Sequence, residues 1–328
     1  MPAETMTTEP LVSILIVNYN YGRFIAAAIE SALSQTYFKV EVIVVDDGST
    51  DNSREVIDDY RGRVRAVYKQ NGGQPAATNA AFAASTGDVI CLLDSDDYFL
   101  PDKVSKIVAC YKQHEEAVYV FHALQRVDIN GAAIGIKEPM DGSRWLDRRV
   151  KKFMAPPSTG LTFRRSAWNR LKPMPEELSV LGDNYFKFVI MALARGYYLA
   201  EPLGVMRIHG DNALSMGNWG ARRFPEELTV AQAMRSNFPA LVAKADHLVS
   251  ITLARYWQLK RNDDPTSNHL RAYLRKSSAR SKARIYGGAA LRYCKQLLQA
   301  TFAGPEPRLE RPVQAPPSFQ DADRTEHN

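Results

Sequence analysis

Cysteine is scarce in this chain, and its placement excludes two classes of protein. The three cysteines, Cys91, Cys110 and Cys294, are odd in number and far apart in the sequence. They form no Cys-x-x-Cys pair, and no histidine lies at the spacing that zinc ligands adopt. A disulfide-stabilised scaffold and a zinc-binding fold are therefore excluded, and we expect three reduced thiols.

Long hydrophobic runs are also absent. The longest, such as Leu11–Val17 and Phe188–Ala194, fall far short of the roughly 18–20 residues that span a bilayer. The first ten residues carry Glu4 and Glu9 where a secretory signal would carry basic residues. We therefore expect a cytoplasmic protein without a transmembrane helix. Its 45% of hydrophobic residues suffices for a folded core.

Two phosphate-binding motifs are missing as well. The sequence has neither the Gly-x-x-x-x-Gly-Lys-Ser/Thr of P-loop proteins nor the Gly-x-Gly-x-x-Gly of dinucleotide-binding domains. A nucleotide would therefore have to bind through other residues.

Charge is unevenly distributed along the chain. The formal net charge is +6, yet twelve Lys or Arg and only three acidic residues lie between Lys244 and Lys295. Such a region is typical of contact with an anionic membrane surface, nucleic acid or an acidic partner, and equally of helices with charged solvent-facing sides. We favour solvated helix faces, expect no nucleic-acid partner, and leave peripheral membrane contact through these helices open.

Apolar β-branched runs alternate with helical patterns through the first part of the chain. Predicted strands cover 11–17, 40–45, 64–68, 88–93 and 118–121, and the predicted helices cover 24–35, a stretch ending near 60, 75–84 and 101–114. This alternation predicts an α/β fold with a mainly parallel sheet and right-handed crossovers. The Asn130-Gly131 pair is typical of a hairpin, so we expect antiparallel additions that make the sheet mixed.

The second part of the chain is predicted to be helical. A helix from Asp183 should end at Gly196, followed by short strands at 197–200 and 205–208. Ala, Leu, Arg and Lys then predominate, and Ile251–Lys260 fits both a bundle helix, which we favour, and an interfacial helix. The predicted segments are a disordered 1–10, an α/β domain at 11–212, a helical region at 213–303 and a Pro-rich disordered tail at 304–328.

Polar residues follow three of the predicted strands at the point where each strand ends. They are Tyr19 and Asn20 after the first strand, Asp46 and Asp47 after the second, and Asp94, Asp96 and Asp97 after a later one. Ligands of parallel α/β sheets bind beyond these carboxyl ends, so the residues should meet at one edge. Asp and Asn are common in turns and at helix N-termini, which explains any one of these clusters alone, but the three clusters together favour a ligand-binding site.

Carboxylates that meet in this way repel one another unless a cation or hydrogen-bond donors offset their charge. Mg²⁺ and Mn²⁺ prefer oxygen ligands and bind through one or two carboxylates together with substrate phosphates. The pattern therefore predicts a divalent metal and a phosphorylated ligand.

Five motifs, in this order and spacing, resemble the family 2 glycosyltransferases. They are Val12–Asn20, Ser34–Thr36, Val44–Asp51, Asn71–Asn79 and Gly87–Asp97. The resemblance covers about residues 11–210. It implies a GT-A, Rossmann-like fold, a nucleotide-diphosphate sugar as donor, Mn²⁺ or Mg²⁺ as cofactor, and sugar transfer with inversion at the anomeric carbon.

The resemblance also assigns roles to individual residues. It implies that five residues bind the nucleotide sugar: Val17, Tyr19, Asp47, Asp94 and Ser95. Among them, the Tyr19 ring would flank the base, the Asp47 carboxylate would bind the base, and Asp94 would hold the ribose or sugar side. It implies that Asp96 binds the metal. His209 lies in an Arg-x-His element and is either a metal ligand or structural.

Inverting transfer needs a base that takes the proton of the acceptor hydroxyl. The resemblance implies Asp183 for this role, although an Asp at this position also suits a helix N-terminus. We expect the acceptor to be a polysaccharide, a lipid-linked glycan or another hydroxyl compound. Two alternatives stay open. One is a metal-dependent nucleotidyltransferase, in which Asp183 has no role, and the other is a non-catalytic nucleotide-sugar-binding or scaffold protein.

Overall fold

The computed structural model describes residues 9–137, 142–146, 156–171, 173–178, 182–210, 219–259 and 264–302. Most of the two terminal segments predicted to be disordered lies outside these residues, so those predictions stay untested.

The described residues form ten strands and ten α-helices. The strands are β1 (Val12–Asn18), β2 (Val40–Asp46), β3 (Arg65–Tyr68), β4 (Val89–Asp94), β5 (Tyr98–Phe99), β6 (Tyr119–Val127), β7 (Ala133–Lys137), β8 (Arg144–Leu146), β9 (Leu161–Arg164) and β10 (Gly196–Arg207). The helices are α1 (Gly22–Leu33), α2 (Ser53–Asp58), α3 (Gly73–Ala84), α4 (Lys103–Gln113), α5 (Arg165–Leu171), α6 (Gly182–Leu193), α7 (Trp219–Asn237), α8 (Val242–Gln258), α9 (Asp264–Arg275) and α10 (Ala279–Phe302).

All ten strands belong to one mixed sheet. Its main path is β3-β2-β1-β4-β9-β6-β10-β5, with β7 added beside β6 and β8 beside β10. The pairs among β3, β2, β1 and β4 are parallel, as is the pair of β6 with β10. Six strands thus run in one direction, because β9 is antiparallel to both β4 and β6. This confirms the predicted mixed, mainly parallel sheet.

The sheet is covered on both faces, which explains why its central strands are apolar throughout. Side chains alternate along a strand, so Leu15 faces one layer of the core while Ile14 and Ile16 face the other. Helices α1 and α4 cover the second layer. Helices α3, α5 and α6 cover the first, and the C-terminal helices continue it.

The C-terminal helices α7 to α10 form a bundle around α8. The Asp246 carboxylate of α8 is fully buried and accepts hydrogen bonds from Tyr273 of α9 and Arg284 of α10. Val249 and Leu253 of α8 are buried as well. The prediction of a bundle helix at Ile251–Lys260 is therefore confirmed over Ile251–Gln258, where α8 ends. Among the described residues, no helix is long and apolar enough to cross a membrane.

Two local predictions are wrong. Gly196 does not end a helix but begins β10, where a Cβ atom would lie 2.1 Å from the Tyr119 ring. The two short strands predicted at 197–200 and 205–208 are one continuous strand with register shifts around Pro202, because proline cannot donate to the ladder. The sequence patterns also missed β9, whose alternation of apolar and polar residues extends over only four positions.

Candidate functional site

The ends of β1, β2 and β4 form one edge of the sheet. In the parallel register Asn18 lies beside Asp46 and Val17 lies beside Asp94. Because the three strands point the same way, their following loops emerge side by side. This confirms the predicted meeting of the polar strand ends.

The loop after β1 is tied to the loop after β2. The Asp46 carboxylate is fully buried and accepts hydrogen bonds from the Asn18 amide at 3.1 Å and the Ser49 hydroxyl at 2.5 Å. Asn20 adopts a left-handed backbone with φ of 58°, and its side chain accepts a bond from Thr50 N–H. These contacts fix the backbone that presents Tyr19.

Tyr19 and Val17 differ in how much of each side chain is exposed. The Tyr19 side chain is 46% exposed, so its ring is open to a planar ligand. Val17 is half-buried and packs against the core. Of these two residues, only Tyr19 offers a large free surface.

The Asp47 carboxylate is buried and organises the segment that leads into α3. It accepts hydrogen bonds from Lys69 Nζ at 2.6 Å, Gly72 N–H at 3.0 Å and Gly73 N–H at 2.8 Å. The opposite charge of Lys69 and the two amides offset its negative charge. Asp47 thus holds the N-terminus of α3 against the end of β2.

The loop after β4 carries three acidic residues. Burial, followed by the charges of Asp96 and Asp183, raises the pKa of Asp94 to about 7. Asp97 is almost fully buried and accepts hydrogen bonds from the Thr159 hydroxyl at 2.6 Å and Arg207 N–H at 3.0 Å. Burial and the neighbouring carboxylates raise the pKa of Asp97 well above its usual range. The carboxylates therefore repel one another in the absence of a cation.

His209 lies directly against this acidic loop. Its Nε2 is 3.0 Å from Asp96 Oδ2, and its side chain is fully buried. The imidazole packs 4.7 Å from the centre of the Phe24 ring. The Asp96 side chain is 14% exposed, so the pair reaches the surface through the carboxylate.

Asp183 lies in the first turn of α6, as predicted. Its Oδ2 accepts hydrogen bonds from the Ser158 hydroxyl at 3.0 Å and from Lys187 Nζ at 2.6 Å. The Lys187 side chain is nearly buried, whereas the Asp183 carboxylate is 18% exposed. Because its charge acts on Asp94, Asp183 belongs to the same acidic cluster.

Close packing sets the position of Asp183. A Cβ atom at Gly182 would lie 2.5 Å from Pro75 Cγ, so only glycine lets α6 begin against the first turn of α3. The helix that carries Asp183 is therefore held against the helix whose start Asp47 organises.

The donor set suits a hard divalent cation only in part. Asp96 supplies carboxylate oxygen and His209 an imidazole nitrogen, and Asp94 lies within electrostatic reach of Asp96. Within the described ranges, no group of three or more His, Cys, Asp or Glu side chains could by itself hold a metal. Mg²⁺ and Mn²⁺ commonly complete their coordination with phosphate oxygens and water, so the residues fit a metal bound together with a diphosphate.

Sequence reasoning missed three residues that build this site. Thr159 bridges the Asp97 carboxyl and the Asp94 N–H, and Ser158 binds Asp183. No pattern marks these two hydroxyls, since they lie in a short 3₁₀ turn about 60 residues after the acidic loop. Lys187 had a visible signal, because an Asp followed four residues later by Lys is a helical ion-pair pattern.

Comparison with known proteins identifies the family. The model described as Glycosyl transferase family 2 matches residues 13–169. Over 212 residues the chain is 35% identical to an uncharacterized glycosyltransferase of Nostoc sp. and 41% identical to a chondroitin synthase of Pasteurella multocida. These alignments cover 61% and 62% of this chain, but 66% and 21% of the two relatives.

Solved structures share the fold. S. aureus TarS 1-349, in complex with UDP-GlcNAc, matches 88% of this chain and 91% of its own with a TM-score of 0.65 and 18% identity. The mannosyltransferase PcManGT from Pyrobaculum calidifontis, in complex with GDP-Man and Mn²⁺, matches 92% and 86% with a TM-score of 0.50 and 19% identity. The sheet and its flanking helices therefore form a GT-A fold, followed by helices α7 to α10. Through residues 13–169, the chain belongs to the family 2 glycosyltransferases.

Proposed function

We propose that this chain transfers a sugar from a nucleotide-diphosphate donor to an acceptor hydroxyl, with inversion, in glycan or polysaccharide synthesis. The observation that carries the proposal is the acidic cluster of Asp94, Asp96, Asp97 and Asp183 at the edge of the sheet. Burial, followed by the charges of Asp96 and Asp183, raises the pKa of Asp94 to about 7. A divalent cation held with a diphosphate would offset the repulsion among these carboxylates.

The donor would lie across the loops after β1, β2 and β4. Tyr19 presents an exposed ring to the base, and Asp47 fixes the adjoining start of α3. Val17 contributes an apolar floor beside Asp94, and Ser95 shapes the loop from a buried position. Asp94 would bind the ribose or the sugar, because it lies between the strand ends and Asp183.

Asp96 and His209 would hold Mn²⁺ or Mg²⁺, since their side chains already meet at 3.0 Å. When bound, the metal supplies electrostatic stabilisation of the leaving diphosphate.

Asp183 would act as the base. As the acceptor oxygen bonds to the anomeric carbon and the bond from that carbon to the diphosphate oxygen breaks, a carboxylate oxygen of Asp183 takes the hydroxyl proton. Lys187 and Ser158 orient this carboxylate through hydrogen bonds to its Oδ2. No covalent intermediate is required, which agrees with inversion.

The comparisons narrow the first substrates to test. TarS was solved with UDP and UDP-GlcNAc and PcManGT with GDP-Man, so we propose a UDP or GDP sugar as donor. The chondroitin and hyaluronan synthases among the relatives favour a glycan as acceptor. We also propose that residues 11–212 form the transferase domain and residues 213–303 a helical C-terminal region.

The first experiment measures thermal stabilisation by UDP, GDP, CDP and dTDP and their sugars, each with Mn²⁺, Mg²⁺ or chelator. A ligand that binds only the folded chain raises its melting temperature by mass action. We expect a metal-dependent rise for one base in the wild type and little rise in Asp96→Ala. The matched control is Asp59→Ala, an exposed acidic residue outside the site.

The second experiment follows the products of turnover. Release of a nucleoside diphosphate supports the proposal, and the anomeric configuration of the product, read by NMR, tests inversion. Asp183→Asn should lower kcat by orders of magnitude while the donor still stabilises the protein. The control Asp59→Asn should leave kcat unchanged. Pyrophosphate as the product would instead show a nucleotidyltransferase, and donor binding without turnover would show a scaffold.

A further inference from the structure

From Pro265 to the end of α10 the chain carries charge of one sign only. Between Pro265 and Gly304 the sequence has eight Lys or Arg and no Asp or Glu. Two of them turn inward, since Arg284 binds Asp246 and Arg292 binds His247. The other six are exposed and make no ion pair with another described residue: Arg271, Arg275, Lys276, Arg280, Lys282 and Lys295. The bundle therefore displays a basic surface that forms no ion pair with an acidic side chain among those described.

The outer side of α10 adds exposed apolar area to this basic surface. Ile285 and Ala289 are buried on the inner side, while Tyr286 is 45% and Leu291 73% exposed. By helical spacing Arg280 begins the outer side at the N-terminal turn of α10, and small or apolar residues follow it along the helix: Ala283, Tyr286, Gly287, Ala290, Leu291 and Cys294, all exposed. Helical spacing also places Lys282 and Lys295 along its two borders. We call this side the outer face of α10.

We propose that the outer face of α10, together with the exposed cations of α9 and α10, docks on an anionic phospholipid surface. A helix with an apolar side bordered by Lys and Arg lies in the plane of a membrane, with its apolar residues at the boundary of headgroups and acyl chains. Each Lys or Arg near an anionic leaflet adds attraction. The surface is separate from the acidic cluster, so this proposal stands or falls independently of the proposed activity.

Charge and polarity distinguish lipid from the other candidate partners. A nucleic acid would use the cations but would leave Tyr286 and Leu291 without an apolar partner. A second copy docked on the same face would bring two uncompensated basic surfaces together, and their repulsion opposes such a dimer. An anionic bilayer satisfies both the charged and the apolar parts of the surface.

The test uses the full chain with vesicles of phosphatidylcholine, alone or with about 30% phosphatidylglycerol. We expect co-sedimentation only with the anionic vesicles, weakened as the salt concentration rises from about 0.05 to 0.5 M because screening shortens the reach of the charges. Cys294 offers a direct probe, since it is the exposed cysteine while Cys91 and Cys110 are buried. An environment-sensitive dye on Cys294 should shift to the blue with anionic vesicles.

Two pairs of variants separate the apolar from the charged contribution. Tyr286→Ser with Leu291→Ser should weaken vesicle binding. The control is Phe38→Ser, which alters a side chain that is 71% exposed outside the bundle and should leave vesicle binding unchanged. Arg280→Gln with Lys282→Gln should weaken it by about tenfold or more, as expected for the loss of two charges near a leaflet.

The control for charge is Arg61→Gln with Lys112→Gln, two exposed cations of the sheet domain. Unchanged circular dichroism and an unchanged melting temperature would show that each variant is folded.

Four results would overturn the proposal. They are equal binding to neutral and anionic vesicles, no binding to either, vesicle binding that both α10 double variants leave unchanged, and binding of a short DNA duplex in preference to vesicles. A dimer in light scattering that is lost in Leu291→Ser would likewise assign the face to self-association.

Discussion

Replacing Thr159 by Val tests whether one hydroxyl holds the acidic loop in place. The Thr159 hydroxyl donates to the Asp97 carboxyl at 2.6 Å and accepts from the Asp94 N–H at 3.2 Å. Valine has nearly the same shape but leaves both groups without this partner. An unsatisfied buried polar group costs about 1–3 kcal/mol, so Thr159→Val should lower the free energy of unfolding by about 2–4 kcal/mol.

The control is Thr159→Ser, which keeps the hydroxyl and loses one methyl group. It should cost only about 1 kcal/mol. Urea unfolding followed by circular dichroism measures both variants, and metal-dependent donor stabilisation, measured in the same samples, should fall further in Thr159→Val. If Thr159→Val were as stable as the wild type, or if Thr159→Ser were equally destabilised, the hydroxyl would not be what holds this loop.

Three further predictions follow from single contacts. Gly182→Ala should lower kcat and destabilise the fold by about 1–3 kcal/mol, because its new Cβ atom displaces α6 from Pro75; a fully active and stable variant would contradict this. Lys187→Met, which removes the cation that orients the Asp183 carboxylate, should lower kcat in a turnover assay with donor binding unchanged; an unchanged kcat would contradict this orienting role. At the opposite edge of the sheet Glu41 is partly buried, which raises its pKa, but four hydrogen bonds outweigh burial and hold the pKa below 4.5. The ionised Glu41 carboxylate therefore contributes its full share of the folding stability above the pKa that it has in the unfolded chain. This share is lost as the pH falls through the lower pKa of the folded state. Glu41→Gln should therefore make the free energy of unfolding less dependent on pH below about pH 5.

Most of the α/β framework could be predicted from local patterns. The apolar runs of β1, β2 and β4 are buried on both faces, and the helices between them show helical spacing, so both kinds of element could be located to within a few residues. Chirality then restricts how such elements connect. The continuity of β10 across Pro202 and the short β9 escaped this reasoning. The four residues of β9 are too few to mark a strand without the neighbouring β4 and β6.

The strand-end rule also predicted that acidic residues would meet at one edge. It could not say how each carboxylate would be held, since that depends on segments distant in the sequence. Ser158 and Thr159 reach the acidic residues from a turn about 60 residues beyond β4, and Gly182 lets α6 approach α3.

The sequence by itself determined the framework, the acidic motifs and the excess of positive charge near the C-terminus. Only the tertiary structure decided which charges are neutralised. It turns Arg284 inward onto Asp246, leaves Lys282 exposed on α10, and sets Lys187 against Asp183. The physical reason is that hydrophobic spacing is a local property of the chain, whereas the energy of a charge depends on the groups that packing brings within a few ångströms of it.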